Sequence, residues 1–134
     1  MTPTPPLLDI DHIHVFVADR ARAQDWYARV LGLVPVAELA SWAADGGPLT
    51  LGNPQGTIHL ALFERPPQPC RSTIALSVTA NAFVEWRQHL AAALGRELEP
   101  VDHQLSWSIY FADPDGNPYE ITCYEYEALK AALG

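Results

Sequence analysis

Three residues of this chain are of the types that hold a divalent metal: His12, His59 and Glu120. Two imidazoles and one carboxylate, with coordination positions left open, form the facial arrangement that suits non-haem Fe(II). Zn, Mn, Ni and Co accept similar sets. An ion held this way can act as a Lewis acid on a substrate oxygen. A second group lies in Asp102-His103-Gln104-Leu105-Ser106-Trp107-Ser108-Ile109-Tyr110. The Tyr110 phenol can hydrogen-bond an oxygen at the ion or donate a proton to it. Imidazoles as a class titrate near neutrality, so His103 can move a proton there. There is no nucleophile elbow, P-loop or dinucleotide fingerprint. Asp113-Pro114-Asp115-Gly116 lacks the twelve-position ligand pattern of a calcium loop and reads as a turn.

The elements that position these residues come from a repeat. Ile13, Val15 and Val17 alternate as a half-buried strand does, and Ile74, Leu76 and Val78 do the same 61 positions later (74 − 13). Each strand is followed by a helix signal. Asp19 caps a helix running through Val30, with Ala23, Trp26, Tyr27 and Val30 on one face. Asn81 is the expected cap of a second, carrying Phe83, Trp86, Leu90 and Leu94. Both end in Leu-Gly, at Leu31-Gly32 and Leu94-Gly95. Further strands are expected near 34–43, 48–51 and 57–63, then near 97–101, 105–112 and 118–124, with a short helix at the tail. The fold class is therefore α+β: one domain over 1–134, built from duplicated βαβββ modules at 7–65 and 71–127. A curved mixed sheet encloses a ligand cavity. Pro66 to Pro69 is the expected spacer between the modules.

Strand alternation puts His12, His14 and Phe16 on one face, with His59, Ala61 and Phe63. Thr73, Ala75 and Ser77 share that kind of face in the second module, with Glu120 and Thr122. The offset of 61 pairs His12 with Thr73 and His59 with Glu120 (120 − 59), which places the three candidate ligands at related positions. His14 reads as a wall residue or an outer hydrogen-bonding partner. Thr73, Phe16, Ser108 and Trp42 are the expected substrate-binding residues.

The order of these segments resembles the vicinal oxygen chelate superfamily: glyoxalase I, bleomycin- and fosfomycin-resistance proteins and extradiol ring-cleaving dioxygenases. The carriers are Asp11-His12-Ile13-His14-Val15-Phe16-Val17-Ala18-Asp19, Trp26-Tyr27, Leu31-Gly32-Leu33 and Tyr110-Phe111-Ala112-Asp113-Pro114-Asp115-Gly116-Asn117-Pro118-Tyr119-Glu120. The resemblance covers about Asp9 to Tyr126. It implies His12 as the first-strand metal ligand, Glu120 as the last-strand carboxylate and His59 as a ligand on the fourth strand. It also implies substrate contacts from a His and a Tyr near His103 and Tyr110. Thr73 stands where dioxygenases and fosfomycin enzymes carry a histidine. The reading is a metal-dependent enzyme, with Fe(II) the first choice and Mn(II), Zn(II) or Ni(II) as alternatives, leaning to extradiol-type oxygen chemistry. The competing reading is a metal-free protein that binds an aromatic or antibiotic-like small molecule.

Composition bounds the rest. Sixteen acidic against eight basic residues give a net charge of −8, with no basic stripe to neutralise nucleic-acid phosphates or to meet an anionic membrane. The start, Met1-Thr2-Pro3-Thr4-Pro5-Pro6, has no signal-peptide pattern, and two cysteines, Cys70 and Cys123, do not make a disulfide framework. The expectation is a cytoplasmic protein whose partner is a small molecule, with no nucleic acid and no membrane, assembled as a homodimer.

Overall fold

The computed structural model describes residues 3–66, 68 and 70–134. The expected spacer at Pro66 to Pro69 falls partly on Pro67 and Pro69, which lie outside the described residues. In the first module, β1 (Ile13–Val17) leads into α1 (Arg20–Leu31), then β2 (Val34–Pro35), a 3-10 segment at Ala37–Gly46, β3 (Leu49–Gly52) and β4 (His59–Glu64). The second repeats the plan with β5 (Ile74–Ser77), α2 (Ala80–Leu94), β6 (Val101–Asp102), β7 (Trp107–Ala112) and β8 (Pro118–Cys123), followed by α3 (Tyr126–Leu133). Each module forms its own mixed sheet, in the orders β1-β4-β3-β2 and β5-β8-β7-β6. The α+β class and the duplication are as the sequence reads. The difference is that the chain carries two four-stranded sheets, not one continuous curved sheet, with β1 and β5 each at a sheet edge.

Local chemistry explains the boundaries. The Asp19 carboxylate accepts from Arg22 N at 3.0 Å and starts α1, and Gly32 closes it in the left-handed region at φ 69°, which costs glycine little. At α2 the cap is Thr79, not Asn81: the Thr79 hydroxyl accepts from Ala82 N at 3.3 Å, and Asn81 lies inside the first turn. The strand expected at 34–43 is only two residues long. Pro35 lacks an N–H for the ladder, and Ala37-Glu38-Leu39-Ala40 are helix formers without β-branching. Arg20 ties the resulting 3-10 segment down, donating to Gly47 O at 2.7 Å and Ala43 O at 3.1 Å. The strand expected at 97–101 shrinks to Val101–Asp102 for the same reason, since Pro100 cannot donate.

One apolar core joins the two modules. Val15, Val17, Leu60 and Leu62 of the first sheet and Ile109, Tyr119, Ile121 and Cys123 of the second bury together with residues of α1, α2 and α3. Between them sits a buried polar knot. Tyr27 donates to Asp113 at 2.6 Å, and its hydroxyl lies 2.8 Å from that of Tyr119. Asp113 also accepts from Asn117 Nδ2 and from the backbone of Asp115 and Asn117. Burial pushes both phenols above their ordinary range, and for Tyr27 the neighbouring Tyr119 and Asp113 add to it. Among the described residues, no helix is long and apolar enough to cross a membrane.

Candidate functional site

The core takes the aliphatic face of the longer strands; the other face is exposed along β1 and β5 and partly closed over β4, β7 and β8 by the buried Ala61, Ser108 and Thr122. On the first sheet that face carries His12, His14, Phe16, His59 and Phe63. β1 runs parallel to β4 with Ile13 opposite Leu60, His14 opposite Ala61 and Phe16 opposite Phe63. Continued by one residue, the register sets His12 across from His59. The rings form a patch: His14 lies tilted against Phe63 at 4.8 Å, and Phe16 meets Phe63 edge-on at 6.1 Å. His12 Nε2 lies 3.1 Å from His14 Nε2, and His12 Nδ1 lies 2.8 Å from the Asp11 carboxylate. Because a carboxylate only accepts, His12 carries its proton on Nδ1 and presents the Nε2 lone pair. His59 leans the other way. Its Cδ2 is 3.1 Å from the place a Cβ on Gly52 would occupy, over the neighbouring strand β3.

On the second sheet, Glu120 pairs with Ala75 on one side and Tyr110 on the other. Ser108 donates to Glu120 Oε2 at 2.6 Å and lies 3.2 Å from the Thr122 hydroxyl. Ser108 is fully buried, so it orients the carboxylate from beneath; the expected substrate contact is not available to it. Tyr110 is exposed beside Glu120, and its hydroxyl lies 2.8 Å from His103 Nε2. His103 is delivered by the tight turn between β6 and β7, in which Gln104 takes φ 70° and donates its backbone N–H to Asp102. Thr73 is exposed just ahead of β5. Trp42 sits half-exposed on the 3-10 segment, and among the described residues it makes no ring contact or hydrogen bond with the other candidates.

The structure thus brings together His12 with His14, Ser108 with Glu120, and His103 with Tyr110. It does not gather His12, His59 and Glu120: among the described residues no three His, Cys, Asp or Glu side chains converge within one chain. The candidates divide between the open faces of two separate sheets. A cavity of about 680 Å³ does open between the modules, but on the helix side, lined by Arg29, Leu33, Ile58, Trp86 and His89, away from all of these residues.

The registers also correct the repeat. β1 and β5 are offset by 61, but Ile13 pairs with Leu60 while Ile74 pairs with Tyr119, so β4 and β8 are offset by 59 (119 − 60). Glu120 therefore overlays Ala61, and His59 overlays Pro118. The equivalence of His59 with Glu120 was a slip of two residues, which keeps strand parity and so leaves no trace in the hydrophobic pattern. Strand alternation already puts His14 on the face of His12, as a wall residue or outer hydrogen-bonding partner; what it does not give is the 3.1 Å contact between the two Nε2 atoms.

A family model described as the Glyoxalase/Bleomycin resistance protein/Dioxygenase superfamily matches residues 9–121. No curated protein matches the chain. Among solved structures, the chain is similar to a glyoxalase family protein from Bacillus anthracis, at 20% identity and TM-score 0.69, covering 92% of this chain and 100% of that one. It is similar to a glyoxalase/dioxygenase from Nostoc punctiforme, at 20% identity and TM-score 0.65, covering 91% and 99%. It is also similar to the fosfomycin resistance protein FosX from Listeria monocytogenes, solved with Mn(II) and sulfate, at 15% identity and TM-score 0.67, covering 96% and 100%.

Proposed function

Because the chain belongs to the Glyoxalase/Bleomycin resistance protein/Dioxygenase superfamily, we propose that it is a metal-dependent enzyme acting on a small molecule with two neighbouring oxygens. The observation that carries this is the pairing of an aimed imidazole with an aimed carboxylate. His12 is turned by Asp11 so that its Nε2 meets His14 Nε2 at 3.1 Å on the histidine-bearing face, and Glu120 is held by Ser108 on the matching face of the other sheet. Both are nitrogen or oxygen donors with an outer hydrogen bond, the arrangement that holds ligands to a divalent ion. The donor set fits Fe(II) or Mn(II), and Zn(II) or Ni(II) also accept it; the Mn(II) in the Listeria relative supports the same class of ion.

The site is completed across a homodimer. His12 and Glu120 stand on separate sheets, and β1 and β5 lie at sheet edges, β1 being tied at its C-terminal end to the β7–β8 turn through Asn117 Nδ2 to Phe16 O and Ala18 N to Asp115. A two-fold arrangement puts the first sheet of one protomer against the second sheet of its partner, closing a cup around the substrate. His12 then comes from one protomer and Glu120 from the other, with a further imidazole from the first sheet; the sequence assigns that role to His59.

The ion, when bound, supplies Lewis-acid stabilisation of substrate oxygens. The chain's own groups do the rest. Phe16 and Phe63, half-exposed in the single chain, form an apolar floor that the closing of the cup covers. Tyr110, beside Glu120, passes a proton to or from a substrate oxygen through its hydroxyl, with His103 as the group behind it at 2.8 Å. That pair favours oxygen chemistry on a catechol-type substrate over the other reactions of the superfamily.

The test is metal loading. Chelator-stripped protein titrated with Fe(II) or Mn(II) under argon takes up one ion per chain, and Glu120→Gln loses the uptake while its circular dichroism is unchanged. A catechol then raises the melting temperature only of the loaded protein. Failure to bind any of the four ions, with catechol stabilising the bare protein, establishes the second reading: a metal-free binding protein. Thr73 and Ala61, which overlay His12 and Glu120 without being ligands, are the observation in its favour.

A further inference from the structure

The two-fold relation between the modules leaves a gap on the first sheet. Glu120 overlays Ala61, and a methyl group cannot ligate a metal. The residue beside Glu120 on β5 is Ala75, and the residue beside Ala61 on β1 is His14. The second module thus carries a ligand on its inner strand and alanine on its edge strand, and the first carries alanine on its inner strand and an imidazole on its edge strand. We infer that His14 is a direct metal ligand, taking the place that Ala61 cannot fill, and that the set is His12 and His14 of one protomer with Glu120 of its partner. The inference rests on the metal-dependent reading above and replaces His59 in it.

Three observations carry it. His12 Nε2 and His14 Nε2 lie 3.1 Å apart. Two nitrogens each about 2.0–2.1 Å from one ion are about 3 Å apart when they subtend a near right angle, so the pair is already spaced as neighbouring ligands. The Asp11 carboxylate holds His12 with Nδ1 protonated, so the Nε2 lone pair points at His14. Without an ion, His14 Nε2–H donates to that lone pair; with one, His14 carries its proton on Nδ1 instead, and both Nε2 lone pairs turn to an ion that lies beside the line joining them. The Phe63 ring, 4.8 Å away and tilted by 55°, packs beside the second imidazole on the same face. His59, by contrast, is one full pleat repeat, about 6.7 Å, further back along β4 from Ala61. It lies over Gly52 and is not gathered with the other two among the described residues.

The experiment compares Zn(II) and Mn(II) affinity, by calorimetry, for wild type, His14→Ala, His14→Asn and His59→Ala. Both His14 variants lose more than the about 10–100-fold that removing an outer partner of a ligand costs, and His59→Ala stays within about twofold. A variant-free readout accompanies it: in long-range ¹H–¹⁵N spectra of wild type, Zn(II) moves the Nε2 resonances of His12 and His14 and leaves those of His59 in place. Wild type that binds metal, with His59 responding and His14 silent, overturns the inference and keeps the metal-dependent reading. Wild type that binds none of Fe(II), Mn(II), Zn(II) and Ni(II) overturns both. Circular dichroism separates misfolding from ligand loss, and the spectra of wild type decide if either His14 variant fails to fold.

Discussion

Ser108 donates to the Glu120 carboxylate at 2.6 Å from a fully buried position, so the carboxylate that faces the open side of the second sheet is steered from below. Removing that hydroxyl leaves Glu120 free to turn away. Ser108→Ala should weaken metal binding by about 10–100-fold, as loss of an outer hydrogen bond to a ligand does. The same change should cost about 1–3 kcal/mol of stability, the usual penalty for a deprived polar group. Calorimetric titration with Mn(II) and urea unfolding check the two numbers. An unchanged affinity means Glu120 is held by something else.

Tyr110 and His103 act on protons rather than on the ion. Tyr110→Phe and His103→Ala should therefore leave metal affinity within about twofold and slow turnover of the catechol-type substrate by about 10²–10⁴, the range for a lost general acid or base. Each single variant should fall as far as the double variant, because the two groups form one relay through their 2.8 Å contact. Additive losses in a double-mutant cycle refute the relay.

How far the sequence led depended on what each signal measures. Alternation sorts strand faces, and it placed His12, Phe16, Tyr110 and Glu120 correctly on the open side and Cys123 in the core. Repeat arithmetic measures register, and there it failed. The helix α2 has 15 residues against 12 in α1, and the first module carries the 3-10 segment Ala37–Gly46 between β2 and β3 where the second has only a tight turn. A single offset cannot survive such changes, so the 61 that holds at β1 and β5 drops to 59 at β4 and β8. The separation into two sheets was also illegible, because nothing in a strand's pattern says which edge it will face.

Tyr27 and Asp113 bind the two modules across 86 residues of sequence. Tyr27→Phe leaves the buried Asp113 carboxylate with one donor fewer and should cost about 1–3 kcal/mol. The phenol also sets a pH limit. Burial, then Tyr119 and Asp113, raise its folded pKa, so the unfolded chain releases the proton first and binds fewer protons above about pH 10. Its contribution is full below that pH and is lost as pH rises from there towards the folded value. Melting curves from pH 7 to 11 should show wild type losing stability above about pH 10 and Tyr27→Phe losing less. Parallel curves count against the role given to this hydroxyl.

Thr73 overlays His12 by the offset that the registers uphold. It is exposed, and its neighbours on the same face, Ala75 and Ser77, are small and exposed too. An imidazole placed there meets the cup from the same module as Glu120. Thr73→His should tighten Ni(II) or Zn(II) binding by about tenfold, or about 1.4 kcal/mol, at little cost in melting temperature. Equal affinities in a calorimetric titration mean that Thr73 does not face the ion.

The shared cup makes a prediction that no arrangement within one chain can meet. If each site takes His12 from one protomer and Glu120 from the other, His12→Ala and Glu120→Gln are each devoid of sites as homodimers. In a mixed dimer the two lesions fall on the same site: the His12→Ala chain and the Glu120→Gln chain meet there, and the second site receives a native His12 and a native Glu120. Unfolding the two variants together and refolding them at equal ratio makes about half of the dimers mixed, so about one quarter of all sites should bind Mn(II) with wild-type affinity. Sedimentation should show a dimer throughout. A mixture that binds no more metal than its parents places both ligands in one chain, and the open faces of the two sheets would then need another partner to close them.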